Sequence, residues 1–205
     1  MKKFLIAIAS LGICSAIVTS CDSKAKLSES VQGTWTSNPE RVLDSGAATA
    51  SMVRVMSFTR GNTQYEGTVT LTALITVDNS MQANDSLVSP ITITASGTAT
   101  ITGAYQIKDA DDITVNLDAT SLSIAVDPDA VQLNYNIATG DSEPVMAKLK
   151  PNATVLATQQ INRAAQNAFF DLTEIEDIRI NNNLMSCEIG DRDLNFTRTA
   201  PAVQK

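Results

Sequence analysis

The sequence predicts one mostly β domain, an antiparallel barrel or an immunoglobulin-type sandwich, with a single amphipathic helix in its C-terminal half. Three observations lead there. Val69, Leu71, Ala73, Ile75 and Val77 alternate with Thr68, Thr70, Thr72 and Thr76. Ile91, Ile93, Ala95, Gly97, Ala99 and Ile101 repeat the same code. A two-residue period of β-branched side chains with one polar face is the mark of an antiparallel strand. Further short alternating runs follow, separated by Asp, Asn, Gly and Pro, as barrels and sandwiches require. Lastly, Ile161, Ala164, Ala165, Ala168, Phe169 and Leu172 recur at helical spacing.

Taken in order, the chain opens on Lys2-Lys3 and an apolar run from Phe4 to Val18. A basic start, a run of that length and small residues after it describe a secretory signal, not a spanning helix of about 20 apolar residues. Val18-Thr19-Ser20-Cys21 resembles the lipobox of bacterial lipoproteins. That resemblance implies acylation of the Cys21 thiol, cleavage before it, and anchoring in the bacterial outer membrane, at its periplasmic face or at the cell surface. Residues 1–20 are then the signal peptide. Residues 21–32, polar and aperiodic, read as a lipid-anchored tether. The folded body spans 33–199, and 200–205 form a tail.

Within the body, Gly33–Ser37 and Met52–Phe58 are short strand candidates, and Asp78–Pro90 reads as a loop. Gly97 and Gly103 interrupt the alternation that runs on to Ile107, and a bulge, a bend or a tight turn is expected near one of them. Strands are expected at 113–117, 122–126, 131–135, 175–180, 184–189 and 193–197. The helix is placed after Pro151, with Asn152 as its N-cap and about four turns in length.

Composition excludes several functions. Without the two signal lysines the formal charge moves from −7 to −9, and no basic cluster is present. A nucleic-acid partner is not expected, and attachment to a membrane has to rest on acyl chains, of which two or more are needed. The chain has no histidine. That removes His-based triads, the common zinc sites and the usual general base. No cofactor or metal motif is evident: the aspartates at 109, 111 and 112, at 127 and 129, and at 191 and 193 lack the EF-hand pattern. They read as turn residues that bind their own backbone. Aromatics are 4% of the chain, too few for the stacking clefts of a carboxylate glycosidase. No enzyme is expected. Of the three cysteines, Cys14 leaves with the signal and Cys21 takes lipid, so Cys187 stands alone, a small buried hydrophobe on an alternating strand face.

Gly33-Thr34-Trp35 opens the body with the only tryptophan, and Asn195-Phe196-Thr197-Arg198 closes it. A G-x-W first strand and an Arg in the last strand, behind a lipobox, resemble the lipocalins, and more closely the small lipocalin-like lipoproteins of Bacteroidetes. The resemblance implies a β-barrel in which Trp35 plugs the floor and Arg198 stacks across it. It also implies a non-enzymatic binding module holding a small apolar or amphipathic ligand, with Val69, Leu71, Ile75, Ile93 and Ala95 as candidate lining. The alternative is a structural or protein-interaction lipoprotein whose barrel is filled and holds no ligand. Asp85-Ser86-Leu87 is similar to the O-glycosylation site of exported Bacteroidetes proteins.

Cys21→Ser tests the anchor. Only a thiol there can accept the diacylglyceryl group, so the variant is expected to lose acylation and lipid-specific cleavage while the β domain still folds. Metabolic labelling with a palmitate analogue, followed by membrane fractionation, checks this. Continued labelling and sedimentation of the variant would remove the lipoprotein reading.

Overall fold

The computed structural model describes residues 23–46, 48–81, 88–137, 143–170 and 172–199. Residues 1–20, where a signal peptide is expected, Cys21, Asp85-Ser86-Leu87 and residues 200–205 lie outside the described residues. The fold is mostly antiparallel β, with one long helix in the C-terminal half. Among the described residues, no helix is long and apolar enough to cross a membrane.

Eleven strands are described: β1 (Gly33–Ser37), β2 (Glu40–Asp44), β3 (Ala48–Arg60), β4 (Glu66–Met81), β5 (Val88–Ile107), β6 (Ile113–Leu117), β7 (Ser123–Val126), β8 (Gln132–Ile137), β9 (Glu174–Asn181), β10 (Leu184–Ile189) and β11 (Arg192–Thr199). Hydrogen bonding runs β1-β11-β10-β9-β6-β5-β4-β3, and β3 pairs in turn with β1. The path therefore returns to its start. The β4–β5 hairpin dominates it, with unbroken pairing from Glu66↔Gln106 to Met81↔Ile91. Along its other edge β5 pairs in succession with β6, β7 and β8.

Alternation decides what is buried. On β3 the residues Ala50, Met52, Met56 and Phe58 face inward, and on β4 Val69, Leu71, Ala73, Ile75 and Val77 do the same. Their threonine and serine neighbours face outward and bond to one another across strands, as Thr34 does to Ser57 and Thr36 to Thr199. Such polar cross-strand pairs add a little to a sheet whose stability comes from its buried face.

Four sequence expectations need correction. β4 and β5 extend well into the 78–90 stretch read as a loop, leaving only 82–87 undescribed. β2 was not anticipated. Gly97 and Gly103 make no bulge in the β4–β5 pairing, which runs in register through both. They are glycines because something comes too close. A Cβ at Gly103 would lie 2.3 Å from the Asn116 carbonyl oxygen, and one at Gly97 would lie 3.0 Å from two carbons of Ile161. The fourth concerns the helices. Residues 23–30 form a helix, α1, where a tether was expected, and Leu27, Ser28 and Val31 are buried. Its polar residues are held by tertiary contacts that no local pattern announces.

The long helix, α2 (Glu143–Phe170), begins before Pro151 rather than after it. Proline removes one backbone hydrogen bond, and its i−4 carbonyl belongs to Ala147, which is exposed to water. Thr154 Oγ1 donates to the carbonyl of Lys150, four residues earlier and next to the proline, at 2.9 Å. Beyond the proline, Ala153, Ala157, Ile161, Ala164, Ala165, Ala168 and Phe169 form a buried stripe laid chiefly on β4 and β5. Alanines let the helix axis approach the sheet closely, and Ile161 seats over Gly97. Leu172, just past the helix, is buried with them.

Ile161 is fully buried. Ile161→Ala is therefore expected to cost roughly 2–5 kcal/mol, through lost transfer energy and the cavity left above Gly97. Chemical denaturation followed by circular dichroism measures it. A loss under about 0.5 kcal/mol, the range of unremarkable surface changes, would show that α2 is not held to the sheet as described.

Candidate functional site

Two ends of the molecule carry the side chains of interest. At the first, α1 lies across the ends of the strands. Trp35 and Arg198 are register partners on β1 and β11, and the guanidinium sits 4.3 Å from the indole ring centroid. Trp35 is fully buried and donates its Nε1–H to the Val31 carbonyl at 2.7 Å. Arg198 donates from Nη1 to the Gln32 carbonyl at 2.7 Å and from Nη2 to the Ser30 carbonyl at 2.5 Å. A cation that satisfies carbonyls left over at a helix C-terminus is favourable both as a hydrogen bond and against the helix dipole. Gly33 adopts φ +105, which no side chain tolerates well, and the Arg198 Nη1 would lie 3.5 Å from a Cβ there. These three residues join the first strand, the last strand and α1.

The five residues expected to line a ligand cavity are Val69, Leu71, Ile75, Ile93 and Ala95. All are buried, with no more than 3% of their surface exposed. They lie in one continuous core cluster that also contains Met52, Met56 and the α2 stripe. The side of β4 and β5 expected to face a ligand is the side on which α2 rests.

The other end was not foreseen. At the N-terminal end of β11, a cleft of about 500 Å³ is lined by Val42, Asn167, Ala168, Ile189, Gly190, Asp191 and Arg192. Behind it sits Arg54, 3% exposed, on the inward row of β3 between Met52 and Met56. Its Nε pairs with Glu40 Oε1, and its Nη1 donates to the Ala168 carbonyl at 3.0 Å. The second Glu40 oxygen accepts from Arg192 Nη1 at 3.0 Å, so one carboxylate bridges two guanidinium groups. Arg54 Nη2 is buried and has no hydrogen-bond partner among the described residues. A signal for it existed in the sequence: an arginine in phase with Met52, Met56 and Phe58 has to point into the core. A charge buried there persists only with a matched partner. Glu40, on the unanticipated β2, is that partner.

Carboxylates gather once more in the turn between β5 and β6, where those of Asp109, Asp111 and Asp112 lie within 4.8 Å of one another. Some loss of solvation in the turn and the neighbouring carboxylates of Asp112 and Asp109 hold the exposed Asp111 carboxyl above its ordinary value. The turn is also tied down by backbone bonds, Ile178 N–H to the Asp111 carbonyl and Lys108 N–H to that of Asp112. At Asp127 and Asp118 the side chain accepts from the backbone N–H two residues on, an ordinary turn role. No family model matches this chain, and a search of curated proteins finds no match.

Cys187 lies in the core, 4% exposed, and burial pushes its thiol up to about 12 while the nearby Arg54 charge opposes the shift. Only the thiolate reacts readily, so Cys187 is expected to resist maleimide at neutral pH until the protein unfolds. The raised value also sets a pH window. Unfolded, the thiol ionises near 9.0, so its stabilising contribution is intact below that pH and is lost progressively as pH rises toward 12. Denaturation of wild type and Cys187→Ala from pH 8 upward isolates this: the gap between the two is expected to narrow with pH, and a constant gap would contradict the assignment.

Proposed function

We propose that this chain is a lipid-anchored, non-enzymatic lipoprotein of the bacterial cell envelope, built on a lipocalin-like barrel that its own helix fills. Anchoring rests on the Val18-Thr19-Ser20-Cys21 sequence, and the barrel reading on the return of the strand path from β3 to β1. Antiparallel pairing all round that path favours a barrel over two stacked sheets. The observation that carries the functional reading is the seat of α2. Its alanine stripe rests on β4 and β5 and shares one core cluster with Val69, Leu71, Ile75, Ile93 and Ala95, which are left no more than 3% exposed to meet a ligand. An eight-stranded barrel is narrow enough for side chains to fill. A molecule bound among those five residues would have to displace Ile161 and its neighbours. The protein then works through its outer surface, as a structural or interaction lipoprotein, and the cleft beside Val42, Ile189 and Arg192 is one contact surface it offers.

Native mass spectrometry of the protein extracted from its own membrane tests this. The expected species is the acylated chain, alone or with a protein partner. A stoichiometric small apolar molecule, retained on the folded protein and released on unfolding, would overturn the filled-core reading in favour of a carrier.

A further inference from the structure

The finding that 23–30 is a packed helix changes the geometry of anchoring. Resting on the reading that Cys21 carries lipid, we propose that the α1 end of the domain lies against the phospholipid bilayer that holds those acyl chains, with the cleft beside Arg192 turned away from it.

Chain length carries the argument. A tether of residues 21–32 would have let the domain hang freely. Instead α1 is bound to its own domain from its first turn onward. Lys24 Nζ donates to the Lys108 carbonyl at 3.1 Å and stands 4.7 Å from the Tyr65 ring centroid. Ser28 donates to the Gln64 carbonyl, and Arg60 Nη2 reaches the Ser28 carbonyl at 3.4 Å. Gln32 Nε2 donates to the Tyr105 hydroxyl at 2.8 Å, and Arg198 grips the far end of the helix. Only Asp22 stands between Ser23 and Cys21, so the intervening backbone spans at most about 7 Å. Along β11 the cleft's Arg192 stands six residues, about 20 Å, from Arg198, and the β4–β5 hairpin runs 16 paired residues, about 50 Å, away from the α1 end. A link that short cannot bring the distant end to the lipid. Charge does not create the contact: Lys26 and Glu29 are both exposed on α1, and the neighbouring turn is acidic.

Site-specific quenching tests the orientation on the full acylated protein, reconstituted in phosphatidylethanolamine–phosphatidylglycerol vesicles containing headgroup nitroxide lipid. Single cysteines at Lys26→Cys on α1, Ser96→Cys on the outer wall of β5 and Asp191→Cys at the cleft take a fluorophore. Cys187 is buried and Cys21 is blocked by lipid, so neither competes. Quenching at position 26 is expected to exceed that at both 191 and 96 several-fold, since Ser96 is in register, through Thr76 and Ser51, with Arg41 beside the cleft. Equal quenching at 26 and 191, or strongest quenching at 96, in vesicle-bound protein would overturn the orientation and leave the lipid anchor standing. Purified protein that carries no acyl mass and does not float with vesicles would overturn both.

Discussion

One guanidinium holds the two ends of this chain together. Arg198 lies over the buried indole of Trp35 and gives hydrogen bonds to the carbonyl of Ser30, the last residue of α1, and to that of Gln32 in the link to β1. Cation–π contact is worth roughly 0.5–2 kcal/mol, and hydrogen bonds to a charged group roughly 1.5–3 kcal/mol each before desolvation is set against them. Everything else at that end depends on it. Without Arg198 the exposed Thr36–Thr199 hydroxyl pair is left as the side-chain contact between the last strand and the first, and the Ser30 and Gln32 carbonyls lose their guanidinium donor. Lysine could not substitute, because a compact ammonium cannot stack on the ring and reach two carbonyls in a fixed fork.

The opposite end solves a harder problem with similar parts. Arg54 sits where alternation demands an apolar side chain, and Glu40 neutralises it while reaching out to Arg192. Such an arrangement is seldom the most stable way to fill a core, since apolar residues of similar volume often do as well or better. What it supplies is position. Glu40 belongs to β2, Arg192 to the start of β11, and Arg54 is tied through the Ala168 carbonyl to the end of α2. A single carboxylate thus fixes the three walls of the cleft relative to one another.

The sequence made the sheet legible and hid the two helices in different ways. Strand periodicity is a local property, and runs such as Val69 to Val77 and Ile91 to Ile107 declare it without ambiguity. The stacking of Trp35 and Arg198 was reachable from the resemblance alone. α1 was not, because eight mostly polar residues with one buried leucine have no helical signature, and their bonds go to Gln64, Tyr105, Lys108 and Arg198, far away in sequence. For α2, Pro151 was read as a boundary, but its cost falls on an exposed carbonyl and the stripe beyond it is long enough to override it. Gly97 was misread for the opposite reason. Its meaning lies in Ile161, 64 residues later, and not in the backbone of its own strand.

The strand path also has a direction in time. β3, β4 and β5 follow one another in sequence and pair as consecutive hairpins, so they can form as the chain emerges. β1 instead takes one partner from nearby and the other from the last residues, Thr34 meeting Thr199. A polypeptide delivered N-terminus first keeps that edge of β1 bare until β11 arrives. Bare edges invite pairing with other chains, and contacts of such wide sequence separation form late. During that interval the domain has its scaffold without its seal, and a chain cut short before Arg192 would never lose the sticky edge.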